Sequence, residues 1–170
     1  MGTKQLTRMA LLIALLCVSA QISFPLPFTP ANVTALTLVG CLISFILPPK
    51  EAVLAFIVYL LLGAVGLPVF SLGGSGFGKL LGPTGGFYFS WPIAYGLLSL
   101  FKGSKAAFWP YFWKSALITI PITHIMGLLG MMFVLHISFE KAFFMASAPF
   151  IFGDLFKCAV AAWLGTKVRF

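Results

Sequence analysis

Apolar residues run along this chain in long unbroken stretches, interrupted by short clusters of proline, glycine and charge, and lack the regular polar face of a water-exposed helix. The runs predict six helical segments at about 6–24, 33–47, 52–66, 85–101, 111–136 and 147–165. Between the second and third stands Pro48-Pro-Lys-Glu51, where two prolines forbid a continuous helix and two charges prefer water. A tight helical hairpin is expected there. The fifth run is long and carries Pro121, which predicts a kink or a tilted path, with the freed carbonyl re-satisfied by a neighbour or a hydroxyl. A bilayer crossing needs about 20 apolar residues. The expected fold is all-α: an integral membrane bundle of six transmembrane helices, with residues 1–170 forming one transmembrane domain.

Composition agrees with that pattern and excludes a soluble domain beside the bundle. Of the 170 residues, 61% are hydrophobic and only 8% are charged, and the mean hydropathy is +1.08. The first run, Met9 to Ala20, has the length of a signal peptide's apolar core. No Ala-x-Ala pattern ends it and further spans follow, so it reads as a retained first helix. With the N-terminus inside, the cytoplasmic side holds Lys4, Arg8, Lys50, Lys102, Lys105, Lys114, Lys167 and Arg169, against Lys79 and Lys141 outside. Eight against two places both termini in the cytoplasm, the orientation expected of a multi-pass protein of the cytoplasmic (inner) cell membrane. The formal charge of +8 is then a matter of topology, with no need of nucleic acid. Trp91, Trp109, Trp113 and Trp163 fall near predicted span ends, as interfacial aromatics do. Cys17, Cys41 and Cys158 lie within apolar runs without metal-site spacing, which argues against disulfides and zinc alike.

The connection from Gly66 to Gly86 carries eight glycines and the apolar side chains Phe70, Leu72, Phe77, Leu80 and Leu81, a composition suited to a lid over an apolar cavity, with Phe70 expected against the ligand. Within it, Gly73-Gly-Ser-Gly-Phe-Gly-Lys79 matches the first seven positions of a phosphate-binding loop. Leu80 stands where Ser or Thr must hold magnesium, and no strand precedes it, so nucleotide binding is not expected. Lys79 is then either a solvated loop lysine or a hydrated point charge that draws an anionic solute.

Asp154 and Lys157 sit within Pro149-Phe-Ile-Phe-Gly-Asp-Leu-Phe-Lys-Cys-Ala-Val-Ala-Ala-Trp-Leu164. Each charge at the centre of a membrane helix costs roughly 2.5–3.5 kcal/mol on insertion scales, so such residues default to function. Three apart, the two share a helix face and can present together to the bundle interior. A carboxylate there is a strong acceptor for the N–H groups of a urea, amide or guanidinium. The plain alternative is mutual neutralisation, or Lys157 snorkelling to the interface. His124 and His136 have no Cys, Asp or Glu at ligand spacing and read as ordinary buried or interfacial histidines. No nucleophile and base can be paired, so the chain does not read as an enzyme. Ala10 and Ala14 lie four apart on one face of the first helix, a small-xxx-small spacing suited either to a partner helix or to packing inside the bundle.

Four segments together resemble the BioY family, the biotin-specific substrate-binding (S) components of energy-coupling factor (ECF) transporters. They are Gln21-Ile-Ser-Phe-Pro25, Gly63-Ala-Val-Gly-Leu-Pro-Val-Phe70, Leu81-Gly-Pro-Thr-Gly-Gly86 and Pro149-Phe-Ile-Phe-Gly-Asp-Leu-Phe-Lys157. The resemblance implies a transmembrane substrate-binding domain that takes up biotin near the outer face, works with an ECF transmembrane coupling protein and ATPase subunits, and uses no cofactor. It implies polar ligand contacts at Asp154 and Lys157, a pocket wall shaped by Pro83, Thr84, Gly85 and Gly86, and a coupling-protein contact at Ala10 and Ala14. Asp154 would accept from the ureido N–H groups, and Lys157 or Lys79 would meet the valerate carboxylate. One stretch departs from the family pattern: Asn32-Val-Thr-Ala-Leu36 stands where the family usually has Pro-Ile-Thr-Leu-Gln. Asn32 or Gln21 would then have to replace the missing glutamine, and a related vitamin or precursor such as dethiobiotin becomes an alternative substrate. A structural membrane subunit whose charges only pair internally is the alternative outside transport.

Overall fold

In the computed structural model, residues 2–168 are described; Met1, Arg169 and Phe170 lie outside, and with them Arg169 of the expected inner basic set. Each of the six expected segments contains a helix: α1 Thr3–Gln21, α2 Leu36–Ile46, α3 Pro49–Ala64, α5 Gly85–Phe101, α6 Phe108–Leu135 and α8 Ile151–Lys167. Two short helices join them, α4 Phe77–Leu80 and α7 Phe139–Ala146, with a single 3₁₀ turn at Ser71–Gly73. The chain is a membrane protein: α1 and α6 are long and apolar enough to cross a bilayer, and α7 with α8 make a third such span if taken as one, bent by 41°.

Two departures from the expected pattern have local causes. The first apolar run does not end as helix, and the second does not begin as one. Ser23–Pro25 (β1) and Asn32–Thr34 (β2) form an antiparallel hairpin with Phe24 opposite Val33, so the fold is helical with one small ribbon. Pro25, Pro27 and Pro30 exclude helix there, while Phe24, Val33 and Thr34 favour extended backbone. The last run turns helical only past Pro149, and α7 occupies the connection before it. Ser138 caps α7 by accepting from the Lys141 amide, and α8 begins only at Ile151. Pro121 and Pro92 are both accommodated inside uninterrupted helices, α6 and α5.

Helix α5 packs between α3 and α6, and α8 packs on α2 and α6. Tyr59, Tyr95, Phe56, Phe70, Leu16 and Ile43 are fully buried between these layers. Gly40 lies directly under the Tyr95 ring, which stacks on Phe56 at 4.7 Å. Gly86 lies so close to the Met126 carbonyl that a Cβ would collide with it, and Gly85 likewise abuts the Leu80 carbonyl. These two glycines let α5 start hard against α4 and α6, which sets the register of the side chains that follow.

The C-terminal end of α2 is closed by cations and a hydroxyl. Lys102 Nζ donates to the carbonyls of Ser44 (3.0 Å) and Leu47 (2.6 Å), Arg8 Nη2 donates to Ile46 (2.6 Å), and Ser99 Oγ donates to Leu47 (2.6 Å). Orphan carbonyls at a helix end favour cations in this way. Burial, reinforced by the charge of Arg8, lowers the Lys102 pKa to about 8. Pro49 opens α3 at its first turn, where its missing N–H is no loss. On α1, Leu12, Ile13 and Leu16 pack inward while Ala10 and Ala14 are exposed, so the small-residue face is not used for packing inside the bundle.

Candidate functional site

Asp154 enters the bundle one turn into α8, its amide donating to the Phe150 carbonyl (2.8 Å). The residue is 8% exposed. Its side chain has three partners from three helices. Lys157 Nζ donates to Oδ1 at 2.9 Å, Thr37 Oγ1 of α2 donates to Oδ1 at 3.3 Å, and His124 Nε2 of α6 meets Oδ2 at 3.0 Å. An isolated charge in this setting would be very unfavourable, and pairing with hydrogen bonding is what permits it.

Beside this cluster lies a pocket with about 620 Å³ of empty space, open mouth included. Asp154, Lys157 and Thr37 supply one polar part of its lining, and Phe87, Tyr88 and Trp91 of α5 with Phe150 supply an aromatic wall. A second polar group comes from the hairpin and the glycine-rich loop. Asn32 Nδ2 donates to Ser71 Oγ (3.2 Å), and Ser71 Oγ lies 3.2 Å from the Tyr88 hydroxyl. Thr84 and Leu36 complete the parts of the lining relevant here.

The sequence-derived residues divide accordingly. Asp154, Lys157 and Thr84 line the pocket; Pro83, Gly85 and Gly86 are not in the lining but shape the start of α5 that carries Thr84, Phe87 and Tyr88 into it. Phe70 is fully buried against Tyr59 and Tyr88, at ring distances of 5.7 and 4.6 Å, and anchors the loop instead of facing the cavity. Lys79 sits on α4 with its aliphatic stem near Gly74, away from the lining. Of the two residues weighed as stand-ins for a missing glutamine, Asn32 lines the pocket, whereas Gln21 donates to the Pro68 carbonyl (2.9 Å) and ties the loop to the end of α1. Leu36, at the position of that glutamine, lines the pocket as well.

The reading of His124 as an ordinary buried histidine is corrected by the fold, because α6 brings it against a carboxylate thirty residues away. No local spacing encodes that meeting. Ser71, Tyr88 and Trp91 line the pocket as well, and Trp91 is buried in its wall in place of the interfacial position expected of it, since an aromatic in a membrane helix has no local mark that separates a pocket wall from a lipid-facing surface.

Known proteins are similar over nearly the whole chain. The model of the BioY family matches residues 1–170. A protein of Bacillus subtilis (strain 168) named probable biotin transporter BioY is 37% identical over 145 residues, 84% of this chain and 77% of that one. The biotin transporter BioY of Thermotoga maritima is 32% identical over 166 residues, 98% of this chain and 96% of its own. A crystal structure of the S-component for biotin from an ECF-type ABC transporter superposes with a TM-score of 0.90, at 21% identity, over 98% of this chain and 93% of that one. This last likeness is one of fold.

Proposed function

Because this chain belongs to the BioY family, we propose that it is the biotin-binding component of a vitamin uptake transporter, handing biotin across the membrane with energy from a partner ATPase module. The observation that carries the reading is the Asp154–Lys157–Thr37 cluster in the wall of an aromatic pocket. A ureido ring offers N–H donors and one carbonyl. Asp154 accepts an N–H, while Lys157, which has further N–H donors to spare, stands beside the ureido oxygen, and Thr37 spends its hydroxyl proton on the carboxylate. Phe87, Tyr88 and Trp91 pack the apolar body of the ligand. The valerate carboxylate is met by the neutral donors Asn32, Ser71 and Tyr88, since Lys157 stands at the ureido end and Lys79 lies outside the lining.

The remaining parts of this reading follow the family and the charge pattern. The chain forms a single substrate-binding domain of six spans with both termini in the cytoplasm, in the cytoplasmic membrane. The exposed Ala10–Ala14 face of α1 receives the ECF coupling protein. No cofactor or catalysis is involved, and biotin is the cargo.

Isothermal calorimetry on the purified protein in detergent tests the core of this proposal. Stoichiometric biotin binding is expected, and Asp154→Asn is expected to weaken it by about 1–3 kcal/mol, because a charge-assisted acceptor becomes a mixed donor and acceptor. Absence of binding by the wild type would sink the proposal. A second reading, a related precursor such as dethiobiotin as cargo, is favoured by one observation: Leu36 presents an apolar side chain to the pocket. Competition between biotin and its precursors separates the two.

A further inference from the structure

An ionised carboxylate has about four lone-pair sites for hydrogen bonds. In Asp154, Oδ1 receives Lys157 and Thr37, and Oδ2 receives His124. One site, on Oδ2, is left. Because a carboxylate only accepts, His124 must carry its proton on Nε2 for this contact to be a hydrogen bond. Its other nitrogen, Nδ1, is buried without a partner among the described residues. A buried ring nitrogen left without a partner is uncommon and asks for a reason. Here the reason is that the ring is held by its other edge. The His124 residue is 6% exposed, Phe87 packs edge-on against it with 6.4 Å between ring centres, and the preceding Thr123 lines the pocket. The imidazole therefore stands directly behind the pocket wall.

We infer that His124 is a positioning residue: through Nε2–H it holds Oδ2 of Asp154 and leaves the carboxylate a single acceptor site, so the ligand's polar head is met by one N–H···O bond and not by a two-pronged one. This rests on the proposed binding of a ureido ligand at Asp154. It assigns His124 a role through Asp154, with no ligand contact of its own. The chemistry selects ligands that present an isolated N–H beside a carbonyl, and it disfavours guanidinium groups, whose fork needs both carboxylate oxygens with free sites.

A double-mutant cycle on biotin affinity, measured by calorimetry in detergent, tests this. His124→Leu is expected to weaken binding by about 5- to 100-fold, as removal of a buried hydrogen-bond partner does. His124→Gln, which restores an N–H donor on a flexible chain, is expected to recover part of that loss. In the Asp154→Asn background, His124→Leu is expected to add less than about threefold, because a residue that acts through Asp154 has little left to act on. Losses that multiply across the cycle, or a His124→Leu variant that binds as the wild type does, overturn the inference. Nitrogen-15 spectra of labelled imidazole in the ligand-free protein supply a reading independent of biotin and of how the leucine variant folds. The Nε2–H tautomer is expected, and an Nδ1–H tautomer overturns the assignment. If the wild type binds no biotin at any concentration, the proposed function falls and takes this inference with it, whereas binding with an additive cycle removes the inference alone.

Discussion

Helix α2 is gripped near both ends by polar and charged groups, and the two grips differ in what they leave over. At its C-terminal end, Lys102, Arg8 and Ser99 reach the carbonyls of Ser44, Ile46 and Leu47, and the hollow that Arg8 lines is an open groove along α1 alone, with no wall from a second helix. Near its start, Thr37 joins Lys157 and His124 around Asp154, and there an acceptor site and an aromatic-walled space remain. The cost of removing charge from water applies at both places. What distinguishes a binding site from a structural clamp is unused hydrogen-bonding capacity next to empty volume.

The sharpest way to break that comparison is to remove the charge at each end in turn. Asp154→Leu leaves Lys157 buried without its carboxylate, and a loss of about 3–5 kcal/mol in stability together with loss of biotin binding is expected from thermal unfolding and calorimetry. Replacing both, Asp154→Leu with Lys157→Met, is expected to restore most of the stability and none of the binding. Full binding by the double variant would make the pair structural. Lys102→Met is expected to lower stability by about 1–3 kcal/mol while biotin affinity stays within twofold, since carbonyls lose their donor far from the pocket. A large fall in affinity would show that the two ends of α2 are coupled.

Smaller effects sharpen the contrast. Asn32→Ala removes the bond to Ser71 and is expected to weaken biotin binding by about 0.5–1.5 kcal/mol, read by the same calorimetry. The smallest concerns pH. The folded-state pKa of Lys102, about 8, lies below its ordinary 10.5, so the folded chain binds fewer protons than the unfolded chain between those values. Stability then rises with pH through that window on account of this group. Comparing melting temperatures of wild type and Lys102→Met from pH 8 to 10 is expected to show that rise only in the wild type.

Much of this molecule is legible in the chain because lipid imposes a simple rule on apolar runs. The helices at 3–21, 49–64, 85–101 and 108–135 follow from run length and from proline and glycine breaks. The β-hairpin is not legible in the same way, because Phe24 and Val33 fit an apolar helix as well as a strand and only the prolines between them tip the balance. In the site, Asp154 and Lys157 stand out because charge is conspicuous in an apolar run. His124 does not, since its significance depends on α6 and α8 meeting at one depth. Glycines 85 and 86 are visible as a motif, but their work is done against carbonyls of α4 and α6 that no linear reading brings near.

Helix α2 has 11 residues, a length of about 16 Å, roughly half the hydrocarbon thickness of a bilayer. In the proposed six-span arrangement, a segment that short needs extended backbone to finish the distance, and uncovered backbone is not tolerated against lipid. Residues 32–34 meet that demand by pairing with β1 on one side and edging the pocket on the other. The shortness of one helix thus leaves room for the pocket, and a further turn of helix at the start of α2 would take up Asn32 and Thr34, two of the residues that line it.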